Sequence, residues 1–86
     1  EYGILIVLVG YNNKTHSIDG DIEIIPRGVN VTDEKRLDII RAINKAVSED
    51  ESHNLFEITG AVKKAVRKQF YRDRQFPIVV PVVIED

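Results

Sequence analysis

Residues 3–11 read Gly-Ile-Leu-Ile-Val-Leu-Val-Gly-Tyr, a run rich in β-branched side chains with no polar face. A strand with one wet side alternates apolar and polar residues, whereas a strand that is apolar on both sides needs cover on both. This segment is therefore read as a central strand, covered on at least part of both sides. The longest apolar run, Ile4 to Val9, is far too short for a helix that crosses a bilayer, which takes roughly 20 residues. The rest of the chain must supply the cover.

Asn12-Asn13-Lys14 is a turn signal, because an Asn side chain can bond the backbone two residues on. Residues 15–25 return as a second strand, interrupted at Asp19-Gly20 by a bulge or kink. Pro26 has no N–H to give a ladder, so pairing weakens there or lies at an edge. Val29 and Val31 add a short extended piece. A helix begins at Thr32 or Asp33, with Asp33 and Glu34 at its positive end. Leu37, Ile40, Ile43 and Val47 give it one apolar stripe. An acidic loop over residues 48–52 closes it. Asn54 and Glu57 form a capping-box pattern for a second helix. Leu55, Ile58, Val62, Ala65, Val66 and Phe70 make its stripe, and the mid-helix Gly60 suggests a close approach of a neighbouring element. Pro77 opens a last apolar strand over residues 78–84, in which Pro81 implies one unpaired side. The expectation is an α+β domain with a two-layer architecture: a three-stranded sheet with two helices packed on one face, in the order β-β-α-α-β.

At 86 residues the chain has room for one domain, residues 1–86. It holds no cysteine, which removes disulfides, thiolate zinc sites and cysteine nucleophiles and fits a reducing cytoplasm. It also holds no methionine, which suggests a piece excised from a longer protein. No signal peptide is visible.

Catalytic and metal-binding patterns are hard to find. His16 and His53 stand alone in turn-like segments, without a second histidine at a ligand spacing, and read as surface residues. Asp19, Asp21 and Glu23 alternate and could face one cation, but such a row is more often the solvent side of an edge strand. Phosphate loops of the Walker or Gly-x-Gly-x-x-Gly kind do not occur. No catalytic residue, metal ligand or cofactor is assigned within these residues.

Charge is distributed unevenly. Residues 1–62 carry 6 Lys and Arg against 11 Asp and Glu, and residues 63–86 carry 6 against 3. Lys63, Lys64, Arg67, Lys68, Arg72 and Arg74 cluster there, offset nearby only by Asp73. They are candidate contacts for RNA or an acidic partner. The plainer reading is a soluble helix end complementing its dipole. Tyr71 and Phe76 flank the basic turn and are read as anchors to the core, with base stacking as the alternative. Arg27-Gly28, just after Pro26, is a candidate interdomain or dimer contact, with Gly28 supplying a backbone shape other residues resist.

The order of features resembles the C-terminal domain of ribonuclease J, in the metallo-β-lactamase/β-CASP ribonuclease family. Asp21-Ile22-Glu23-Ile24-Ile25-Pro26-Arg27-Gly28-Val29-Asn30-Val31 is similar to its acidic residue, apolar pair and Arg-Gly, with an apolar piece following. Phe70-Tyr71-Arg72-Asp73-Arg74-Gln75-Phe76-Pro77-Ile78-Val79-Val80-Pro81 resembles its aromatic, basic and Pro-x-x-x-Pro close. Pro26 replaces a usual serine and Asn30 breaks the apolar piece, which leaves the subtype open. The resemblance implies a parent enzyme that is a cytoplasmic, zinc-dependent 5′-to-3′ exoribonuclease and endoribonuclease of RNA processing and decay. Its metal site lies in catalytic domains outside these residues. The implied role here is accessory: supporting dimerisation and full activity, with the parent's catalytic domains and a second copy as partners, no membrane, and RNA contact through the basic second helix as the alternative.

Overall fold

The computed structural model describes residues 3–85. Strand β1 spans Ile4–Asn12, β2 Ser17–Ile18 and β3 Glu23–Arg27; helix α1 spans Asp33–Glu49 and α2 Leu55–Lys68; strand β4 spans Ile78–Glu85. β1 is central. β4 runs parallel to it along one edge, from Ile4↔Ile78 to Tyr11↔Glu85. β2 and β3 run antiparallel to it along the other, from Tyr11↔Ile18 through Leu8↔Glu23 to Ile4↔Arg27. The parallel β1–β4 pair needs a crossover, and both helices form it on one face of the sheet.

Four strands in the order β-β-β-α-α-β replace the three-stranded β-β-α-α-β arrangement that the sequence suggests. The second expected strand is broken in two. Between Tyr11↔Ile18 and Leu8↔Glu23 the partner advances two residues more than β1 does. An even excess keeps every side chain on its own face, so the register shift costs no burial. The break centres on Asp19, whose N–H donates to the Gly10 carbonyl at 2.8 Å. A Cβ on Gly10 would stand 2.6 Å from the Asp19 carbonyl oxygen, so this crossing requires a residue with no side chain. Pro26 and Pro81 both lie on edge strands, where the missing N–H is tolerated.

Leu5, Val7, Val9 and Tyr11 on β1, with Ile24 on β3 and Val79 on β4, meet Ile39, Ile43 and Val47 of α1 and Ile58, Val62 and Val66 of α2 in one core. Phe70 completes it beyond the end of α2. The stripe on α1 differs from the expected one: Leu37 is 52% exposed and Ile39 takes its place. Residues 37 and 43 are about 120° apart around a helix, and steps of four from Ile39 keep to the sheet side. On α2 the expected stripe holds, with Leu55 and Ala65 at its half-buried margins.

The caps account for both helix starts. Thr32 Oγ1 accepts the Lys35 N–H at 3.1 Å and Asn54 Oδ1 accepts the Glu57 N–H at 3.2 Å. The reciprocal half of a capping box is made differently from the expected pattern: the Asn54 N–H donates to Ser52 Oγ, not to Glu57. Gly60 faces solvent, and a Cβ there would meet nothing within 4 Å, so no neighbouring element explains it.

Candidate functional site

The helices cover one face of the sheet only. On the opposite face Ile4, Ile6 and Leu8 of β1 stand beside Ile78, Val80 and Val82 of β4 in direct register. Ile25 of β3 extends the set beside Ile6, and Ile84 continues it along β4. The four β4 side chains are 38% to 57% exposed. β1 is thus covered by a second layer on one side alone, and its other side is shielded only by flanking strands. The open face carries charge at its β3 margin: Glu23 pairs with Leu8 at one end, and Arg27 with Ile4 at the other. Arg27 donates to the Pro26 carbonyl and has no carboxylate partner among the described residues. Gly28 follows with φ +73°, the left-handed turn that carries the chain off the sheet.

The basic cluster is divided by the helix. Lys63 and Arg67 line a groove of about 420 Å³ on the β4 side of α2, with Tyr71, Gln75, Phe76, Pro77, Ile78 and Val79. Lys64 and Lys68 face the α1 side, beside Lys45, Glu49 and Asp50. Arg74, at φ +55°, lines an adjoining groove with Gly28, Asn30 and again Gln75, Phe76 and Pro77. Arg72 is exposed in the turn. Tyr71 and Phe76 are not core anchors. They are 49% and 60% exposed and lean on each other, centroids 6.4 Å apart. Phe70 and Pro77 are the buried residues that pin the turn.

Asp73 does not neutralise its arginine neighbours. Its carboxylate lies 2.8 Å from Lys35 Nζ, which also donates to the Gln69 carbonyl and sits 5.3 Å from the Phe70 ring centroid. Lys35 thereby ties the start of α1 to the end of α2. Sequence reading has no signal for this, since the contact spans more than thirty residues.

His16 and His53 meet in space, with ring centroids 3.7 Å apart and planes at 24°. Both have positive φ, and Tyr11 Oη lies 3.4 Å from His16 Nδ1. Burial raises the Tyr11 phenol above its ordinary value, and Asp50 and Glu85 add to the rise. Among the described residues no three His, Asp or Glu side chains come together where a metal ion could be held, and Asp19, Asp21 and Glu23 all face solvent. No helix among the described residues is long and apolar enough to cross a membrane.

Among curated proteins none matches the chain. The family model of the ribonuclease J C-terminal domain matches residues 1–86. Because that match runs the full length of the β-β-β-α-α-β domain, the chain belongs to the ribonuclease J C-terminal domain family, an accessory domain of that enzyme.

Proposed function

We propose that this domain is the assembly module of a ribonuclease J-type enzyme, joining two parent chains through the open face of its sheet and supporting dimerisation and full activity. The observation that carries the reading is the aliphatic face, with Ile78, Val80, Val82 and Ile84 left to solvent on an edge strand. A contiguous apolar face of this kind marks an interaction surface. Its margin suits a second copy. A two-fold axis in the plane of the face, perpendicular to the strands, sets β3 over β3 with directions reversed. Glu23 of each copy then meets Arg27 of the other, a self-complementary arrangement. Sheets pack face to face in this way near −30°.

The face is smaller than the 20–30 residues a side of a standard interface, roughly 800 Å² per partner. The isolated domain therefore associates weakly, and the parent's further contacts strengthen the pairing. The catalytic zinc chemistry belongs to the parent's other domains, and no residue here is given a part in it.

Sedimentation velocity on the parent enzyme, with and without the paired changes Val80→Lys and Val82→Lys, tests the reading. The expected result is a shift of the variant toward the monomer together with lost activity. Unchanged mass and activity in the variant would refute it. Unchanged mass with reduced activity would reject the second copy and point to the parent's catalytic domains as occupant.

A further inference from the structure

We propose that the groove between α2 and the start of β4 binds a short stretch of single-stranded RNA, with Tyr71 and Phe76 as the base-stacking surface and Lys63 and Arg67 as phosphate contacts. This goes beyond the assembly role, and the groove meets the open sheet face at Ile78 alone. Two exposed aromatic rings lie at the mouth of the groove, tilted by 41° to one another. Burying neither ring leaves a large apolar area in water, which folding of the domain alone does not account for. Every base offers a π-face to such a surface, whatever its sequence.

The charge around the rings is of one sign. Lys63 and Arg67 sit one helical turn apart on the same side of α2 and form no ion pair among the described residues. Asp73, the acidic residue nearest in sequence, is held by Lys35. The groove therefore presents uncompensated positive charge beside apolar planar surface. A strand of nucleotides, alternating planar bases with anionic phosphates, is complementary to both. A volume of about 420 Å³ is within the size range of pockets that hold single small molecules, so one or two nucleotides fill it. The neighbouring groove shares Gln75, Phe76 and Pro77 and adds Arg74, so a strand leaving the first groove continues past Phe76 toward a third cation. An acidic peptide would satisfy the lysine and arginine but has no systematic use for two tilted rings.

The test is fluorescence anisotropy of the 86-residue chain with a labelled five-nucleotide oligo(U) or oligo(A) RNA, across a series of salt concentrations. Binding is expected, and Phe76→Ala or Tyr71→Ala weakens it by about 5- to 150-fold, the range of one lost stacking contact. Both side chains are exposed, so circular dichroism should match the unmodified chain. Neutralising the groove with Lys63→Gln and Arg67→Gln lowers the slope of log K against log salt by about 1.4. The same changes at Lys64 and Lys68, across the helix, leave the effect of Phe76→Ala intact and weaken binding less. Absent binding, indifference to both aromatic substitutions, or equal competition by a poly-glutamate peptide of matched charge would each overturn the proposal. The sheet face is untouched by these variants, so their sedimentation reports separately on assembly.

Discussion

Lys35 joins segments more than thirty residues apart. Its Nζ reaches the Asp73 carboxylate, the Gln69 carbonyl and the face of Phe70. Gly60 is the opposite case, a residue nothing requires. It lies inside α2 on the solvent side with open space around it. Gly60→Ala should stabilise the domain by about 1 kcal/mol. That raises Tm by roughly 4–8 °C in a domain of this size, readable by calorimetry. Tyr11 sets a limit at high pH. Burial holds its phenol in the neutral form and raises its folded-state value, with Asp50 and Glu85 contributing. The stability linked to this shift is fully present below the unfolded value of about 10 and is lost as pH rises through the folded one. Urea midpoints measured from pH 8 to 11.5 should fall above about pH 10 in the unmodified chain. Tyr11→Phe should fall less, and identical profiles would refute the assignment. Residue-scale reading of the sequence succeeded at Thr32, Asn54 and Gly28, where a local backbone geometry demands a residue type. It misplaced Tyr71 and gave no sign of the Lys35 contacts, because distant segments build the surroundings of both.

At the scale of elements, each helix is held at its start by one side-chain oxygen. Asn54→Ala removes the acceptor for the Glu57 N–H and should cost about 1 kcal/mol. The loss is measurable as a lower urea midpoint with an unchanged slope. Ser52 Oγ donates to the Asp50 carboxylate and accepts from the Asn54 N–H, and the His53 N–H donates to Asp50, so local hydrogen bonds brace the connection between the helices. The α2 stripe was legible because Ile58, Val62, Val66 and Phe70 follow one another at steps of four. On α1, Leu37 fits an aliphatic stripe with Ile40, Ile43 and Val47 at steps of three, three and four, yet it points away from the sheet. Periodicity names a helix and several candidate stripes; the neighbouring layer selects one. The split of β2 from β3 has a similar cause. Asp19-Gly20 announces an irregularity in the sequence, but the two-residue shift in register depends on how β1 presents Gly10 to the Asp19 carbonyl.

For the whole molecule the consequential feature is asymmetry, one sheet face sealed by helices and the other left aliphatic. A domain of this size buries only about 60–65% of its unfolded surface, so association adds appreciably to a thin margin. If the open face joins two copies, Tm of the isolated chain rises with protein concentration. That rise should vanish in the variant carrying Val80→Lys and Val82→Lys, as scanning calorimetry over a hundredfold range of concentration would show. The amino-acid order by itself determined the α+β class, the two helices on one face and the central place of residues 3–11. These follow from local propensity and the period of apolar residues, which act over a few positions along the chain. Only the tertiary structure decided that β1 keeps one face without a second layer, and that the four cations on α2 part to two sides of the helix while Arg72 and Arg74 lie in the turn beyond it. It also freed Tyr71 and Phe76 from the core and gave Asp73 to Lys35. Those outcomes depend on which distant surfaces meet, and an apolar strand reads the same whether its second face is covered by its own chain or awaits a partner.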